Sequence, residues 1–254
     1  MAYIQLHLFS PSLGMQTEVA VIIPQKDTVG EIGIAGQAKG EQFKTLYLLH
    51  GLSDDHSIWL RRTSIERYAT EYGICVVMPF GGRSFYTDQK NGEKYCTYIS
   101  KELPARMSEF FNVSSKCEDR FIAGNSMGGY GSLKIALKNS DTFGTAAGLS
   151  SVSDIRAERW KEHLENMLGK ENYISDDEDL FALAKAMENN PVKPRLYMCC
   201  GTEDFLYEEN KALSELFKSL DYDYTYEEEP GTHCWDYWDV KIQRILEWMF
   251  KENN

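Results

Sequence analysis

Apolar and polar residues alternate with a period of two over residues 3–9 and 16–23, the spacing of strands that bury one face. Ser10-Pro11-Ser12-Leu13-Gly14 separates them, so the pattern predicts an opening antiparallel hairpin. Residues 25–42 are polar and rich in glycine and read as a surface loop. Further on, short strand-type runs stand at 45–49, 74–79, 121–125, 146–149, 195–200 and 223–228. Between and after them, helical spacing marks 64–72, 97–111, 129–138, 208–220 and 235–251. Glu102-Leu103-Pro104 marks a start or a kink in the second of these helices. Strands alternating with helices predict an α/β fold, a mostly parallel sheet covered on both faces. Residues 153–190 interrupt the alternation with charged, helix-prone sequence at 158–168 and 179–188. They are expected to form a small cap inserted into one domain spanning 1–254.

Composition narrows the classes. An apolar fraction of 43% suffices for a sizeable core, and a formal charge of −12 disfavours nucleic acid and anionic membrane surfaces as partners. No run approaches the roughly 18 apolar residues of a membrane span, and the N-terminus reads as a strand, not a signal peptide. Six scattered cysteines without a metal-type pair suit buried free thiols and a cytoplasmic protein. Neither a metal nor a cofactor is expected.

The candidate chemistry centres on Gly124-Asn125-Ser126-Met127-Gly128, a Gly-x-Ser-x-Gly pentapeptide with a strand pattern before it and a helical one after. A sharp strand-to-helix turn lifts a serine oxygen above the sheet edge, and the glycines remove side chains that would clash. A serine hydroxyl needs a base and a group to orient that base. Of five histidines, only His163 and His233 follow the serine. His163 sits in the polar insertion and is most simply solvated, whereas His233 lies in a loop between the last strand and the last helix. The orienting acid is expected at the end of the strand before it. Glu203 and Asp204 both qualify, Asp204 is preferred although spacing separates them weakly, and Asp154 is a third choice. The oxyanion hole needs two backbone N–H groups. Met127, just after the serine, supplies one, and Leu52 in the His50-Gly51-Leu52 loop the other. His50 is expected to brace that loop.

Leu49-His50-Gly51-Leu52-Ser53-Asp54-Asp55-His56-Ser57-Ile58-Trp59, the serine pentapeptide with Gly129-Tyr130-Gly131, Cys200-Gly201-Thr202-Glu203-Asp204-Phe205-Leu206-Tyr207 and Gly231-Thr232-His233-Cys234-Trp235-Asp236-Tyr237-Trp238 together resemble the tributyrin esterase branch of the esterase D family. That family also holds feruloyl esterases, acetylxylan esterases and S-formylglutathione hydrolases. The resemblance implies an α/β-hydrolase fold, a triad of Ser126, Asp204 and His233, an oxyanion hole from Leu52 and Met127, and no cofactor. It also allows a homodimer or tetramer. Asn125 stands where relatives often carry another residue, which should tune activity. Ser53-Asp54-Asp55 lacks the cysteine-containing version associated with S-formylglutathione hydrolases.

The expected function is a serine carboxylesterase for short acyl groups, acetyl to butyryl, with a hydroxycinnamoyl (feruloyl) esterase acting on acylated cell-wall sugars as the alternative. An S-formylglutathione-type thioesterase and a non-catalytic ligand receptor rank below both. Aromatic residues of the candidate loops, Trp59, Tyr86, Phe205 and Trp235, with Phe80 and Phe85 beside them, are expected to line the substrate pocket.

Overall fold

The computed structural model describes residues 1–25, 41–169 and 174–250. Most of the loop expected at 25–42, and residues 170–173 of the insertion, lie outside them. The described residues build an eight-stranded sheet from β1 (Ala2–Ser10), β2 (Met15–Ile23), β3 (Thr45–Leu49), β4 (Cys75–Pro79), β5 (Arg120–Asn125), β6 (Thr145–Leu149), β7 (Arg195–Gly201) and β8 (Tyr224–Glu229). Their spatial order is β1-β2-β4-β3-β5-β6-β7-β8. The N-terminal hairpin joins through antiparallel β1/β2 and β2/β4 pairs, and every later pair is parallel. This is the α/β-hydrolase arrangement that the motifs imply.

The strand pattern explains the two cores. Successive side chains of a strand point to opposite faces. In β4, Cys75 and Val77 pack on one face while Val76 and Met78 pack on the other. Helices α1 (Ile58–Arg62), α2 (Ile65–Tyr72) and α9 (Trp235–Phe250) cover the second face. The first is covered by α3 (Tyr95–Thr97), α4 (Leu103–Phe110), α5 (Met127–Lys138), α7 (Leu180–Ala186) and α8 (Tyr207–Ser219), with α6 (Lys161–Leu168) at its margin.

Two elements differ from the sequence pattern. Helix α1 is too short to show a period and was not expected. The helix expected at 97–111 starts at Tyr95 and widens into a π-type turn at Tyr98–Glu102, where the Leu103 N–H reaches back to the Tyr98 carbonyl. Pro104 follows directly. It brings no N–H to the ladder, and a widened turn accommodates that loss without a sharp break.

The insertion holds helical turns and, among its described residues, no strand. It docks through the aromatic rings of Trp160 and His163, each 5.4 Å from the buried Phe85 ring. It also docks through Glu178, which reaches the buried Lys134 of α5 at 2.5 Å. Lys134 donates as well to Phe85 O and Thr87 Oγ1. Burial alone would raise the Glu178 carboxyl, but the Lys134 ammonium holds it below its ordinary value. Removing one partner of such a buried pair costs far more than an exposed pair is worth. The insertion is therefore pinned to α5, the helix that follows directly on Ser126. Among the described residues no helix is long and apolar enough to cross a membrane.

Candidate active site

Ser126 occupies the turn between β5 and α5 at φ 55°, ψ −117°, a backbone region that side-chain-bearing residues rarely adopt. Its backbone is held on three sides. The Ser126 N–H donates to Leu149 O at 2.9 Å, while its carbonyl accepts from Tyr130 N at 3.1 Å and Val152 N at 3.2 Å. The turn closes only because Gly124 and Gly128 are bare. A methyl group on Gly128 would meet Leu49 O at 2.5 Å, and one on Gly124 would meet the Gly128 backbone at 2.5 Å.

The loop after β8 brings His233 over this turn. Its Nε2 lies 3.0 Å from Ser126 Oγ. Its Nδ1 lies 2.8 and 3.0 Å from the two carboxylate oxygens of Asp204, at the end of β7. Asp204 is buried, and Oδ1 also accepts the Leu206 N–H at 2.9 Å. An ionised carboxylate only accepts, so Nδ1 carries the proton and leaves Nε2 free to accept from the serine hydroxyl. The rings of Phe205 and Trp238 stand 4.6 and 4.8 Å from the imidazole and fix its plane. Glu203, the other acid considered, is placed elsewhere and accepts the Gly231 N–H, bracing the histidine loop. Asp154 turns back on the Arg156 N–H, and His163 Nε2 bonds Arg83 O.

Met127 follows the serine directly and Leu52 follows Gly51, which packs against Asn125; neither N–H is taken by another group among the described residues. Two donors left open next to a serine hydroxyl can receive a developing oxyanion. The preceding loop is clamped from behind. Trp59 Nε1 donates to Leu49 O at 3.0 Å and Tyr86 OH to His50 O at 2.9 Å. The His50 ring donates from Nδ1 to Gly51 O at 2.7 Å and accepts the Gly81 N–H on Nε2 at 2.9 Å.

Burial pushes His50 down to about 4 from its usual 6.5, and a proton on Nε2 would face the Gly81 N–H. A folded value below the unfolded one means that stability is full above pH 6.5 and is lost as pH falls toward 4. We expect wild type to lose about 3 kcal/mol more than His50→Gln across that window. Urea unfolding at a series of pH values measures the difference. Parallel curves for the two proteins would exclude a buried neutral His50.

Two of the aromatic residues expected to contact substrate present no surface. Trp59 and Tyr86 are 1% and 0% exposed, because their polar tips are spent on the clamps just described. Phe85 is likewise buried. Trp235 is half-buried, edge-on to Trp59 at 4.9 Å, and forms part of the wall behind the site. Phe205 is 58% exposed, with its ring 4.6 Å from that of His233.

Two residues were not anticipated. Glu209 and Asn210, in the first turn of α8, hold the loop after β6. Glu209 Oε1 accepts from Ser153 N at 2.9 Å, and Asn210 bonds both Ser151 N and Ser151 O. Burial raises the Glu209 carboxyl to about 7. In sequence they form an ordinary polar first turn, so nothing local marks them.

Residues 10–249 match the model of the esterase family, described as "Putative esterase". The chain belongs to this family. It is 33% identical to an acetyl esterase of Caldicellulosiruptor saccharolyticus, over 99% of each chain. It superposes on a substrate-bound, fluorophosphonate-binding serine hydrolase of Staphylococcus aureus with a TM-score of 0.88 and 35% identity, again over 99% of each chain. A solved S-formylglutathione hydrolase of the same organism gives 0.84 and 36%, over 98% of this chain and 99% of that one. This esterase-family chain is therefore an enzyme of the serine carboxylesterase type on the α/β-hydrolase fold.

Proposed function

We propose that the chain hydrolyses short-chain acyl esters, acetyl to butyryl, through an acyl-enzyme on Ser126. The observation that carries this reading is the unbroken run of bonds from Ser126 Oγ to His233 Nε2 and from Nδ1 to Asp204. Ser126 Oγ attacks the acyl carbonyl carbon while its proton passes to His233 Nε2, and the oxyanion is received by the N–H groups of Leu52 and Met127. The imidazolium, steadied by Asp204, returns the proton to the departing alcohol. His233 then takes a proton from water as its oxygen attacks the acyl carbon, and returns it to Ser126 Oγ as the bond from Oγ to the acyl carbon breaks and the acid departs.

Preference for short chains is supported by the small insertion, 153–190, which we take as a cap on a single domain, and by the acetyl esterase relative. Phe205 would bound the acyl or alcohol side. The six cysteines, all unpaired, suit a reducing cytoplasmic setting, which we propose as well.

The test is a comparison of kcat/KM for p-nitrophenyl acetate, butyrate and octanoate, methyl ferulate and S-formylglutathione. Acetate or butyrate is expected to lead the others by about tenfold or more, the scale at which pocket size discriminates. A lead for methyl ferulate would favour the hydroxycinnamoyl reading, and a lead for S-formylglutathione would favour a thioesterase. Either result would displace the short-acyl proposal.

A further inference from the structure

Asn125, immediately before the serine, is fully buried, and neither Oδ1 nor Nδ2 has a hydrogen-bond partner among the described residues. A buried amide left in that state costs about 1–3 kcal/mol. Its surroundings suggest a use. A methyl group on Gly51 would lie 3.3 Å from Asn125 Nδ2 and 3.0 Å from Asp54 Oδ2. Amide and carboxylate thus converge on the bare Cα of Gly51, just beneath the turn in which the Asp54 N–H donates to Gly51 O at 3.2 Å. That turn carries Leu52. The carbonyls of Leu49 and His50 are each clamped by a buried side-chain donor, and the next segment meets the uncommitted donor of Asn125.

We propose that Asn125 is a positioning residue for ester hydrolysis: its Nδ2–H closes onto the Asp54 carboxylate across Gly51 as the oxyanion forms, holding the Leu52 N–H in place. The inference rests on the esterase reading above. A bond made only as the transition state forms raises kcat and leaves KM alone. Burial already raises the Asp54 carboxyl, so a donor arriving beside it relieves a desolvated charge. A bare Gly51 is required for the approach, since a side chain there would separate the two groups.

The experiment is a double-mutant cycle with Asn125→Ala, Asp54→Ala and the pair, assayed on p-nitrophenyl butyrate with thermal unfolding alongside. Asn125→Ala is expected to lower kcat about 10–100-fold, the range of a hydrogen bond to a charged group, with KM within about twofold. Inhibition by butaneboronic acid, whose tetrahedral adduct mimics the oxyanion, should weaken by a similar factor. The double variant should be no slower than the slower single one. Thermal stability should hold, because the variant removes an amide with no bond to lose. If Asn125→Ala fails to fold, Asp54→Ala, which leaves Nδ2 no acceptor, carries the same expectation from the other side of the pair. An unchanged kcat, a rise in KM alone, or losses that multiply would overturn the proposal. Wild-type protein inactive on every ester would overturn the esterase reading itself, and this inference with it.

Discussion

Ser126→Ala is expected to lower kcat for p-nitrophenyl butyrate by about 10⁶-fold, the scale seen when the nucleophile of a serine hydrolase is removed. Covalent labelling by a fluorophosphonate should vanish with it, since that reaction also needs the activated oxygen. The variant should still fold. Alanine keeps the strained backbone at φ 55°, and the hydroxyl contributes one part-buried bond, to His233, worth about 1 kcal/mol. Ser126→Gly gives the complementary result. It is equally inactive, but glycine tolerates this backbone, and relief of strain worth about 1–3 kcal/mol exceeds the entropy that glycine adds to the unfolded chain, about 0.4–1 kcal/mol. Its urea midpoint should therefore equal or exceed that of Ser126→Ala. A folded Ser126→Ala protein that keeps substantial turnover would place the nucleophile elsewhere. Wild-type protein that folds, hydrolyses no ester and fails to label would indicate a receptor on a hydrolase scaffold.

The strand-to-helix turn at Ser126 was legible because its geometry constrains the local sequence. With Ser126 at positive φ, a methyl group at 128 would meet Leu49 O and one at 124 the Gly128 backbone, each at 2.5 Å, so the turn demands bare residues at both positions, and they stand in the sequence. The sheet was legible for a similar reason, since strands buried on both faces leave runs such as Cys75-Val76-Val77-Met78. His233 could be found because few histidines follow the serine, and a base belongs on a loop at a strand end. The roles of Trp59 and Tyr86 were hidden. An aromatic residue in a loop looks the same whether its ring faces substrate or its polar tip bonds Leu49 O or His50 O, and only the tertiary fold decides. Asn125 was visible as a departure from relatives. Its isolation under Gly51 comes from residues 71 or more positions away in the chain and has no local signature. The choice between Glu203 and Asp204 lay between these extremes. Adjacent acids share one local pattern, and the turn after β7 sends one to Gly231 N and the other to His233.

That separation yields the second large expectation. Asp204→Asn should lower kcat by about 10⁴-fold, the loss typical when the orienting acid becomes an amide, whereas Glu203→Gln should change it by less than about tenfold. Geometry dictates the cause. The Leu206 N–H donates to Asp204 Oδ1, so an amide at this position keeps its carbonyl oxygen there and turns its NH₂ toward His233 Nδ1. That nitrogen must then accept, the ring proton moves to Nε2, and an N–H points at Ser126 Oγ in place of a lone pair. The serine proton has nowhere to go. Steric fit is preserved because the amide is isosteric with the carboxylate, so KM and thermal stability should change little. Glu203→Gln keeps an oxygen for the Gly231 N–H and leaves the imidazole tautomer alone. Kinetics on p-nitrophenyl butyrate above neutral pH discriminate further, because the amide variant should regain activity where hydroxide takes the serine proton directly. Equal losses for the two variants would mean that bracing the histidine loop, not fixing the tautomer, is what the acids at the end of β7 contribute.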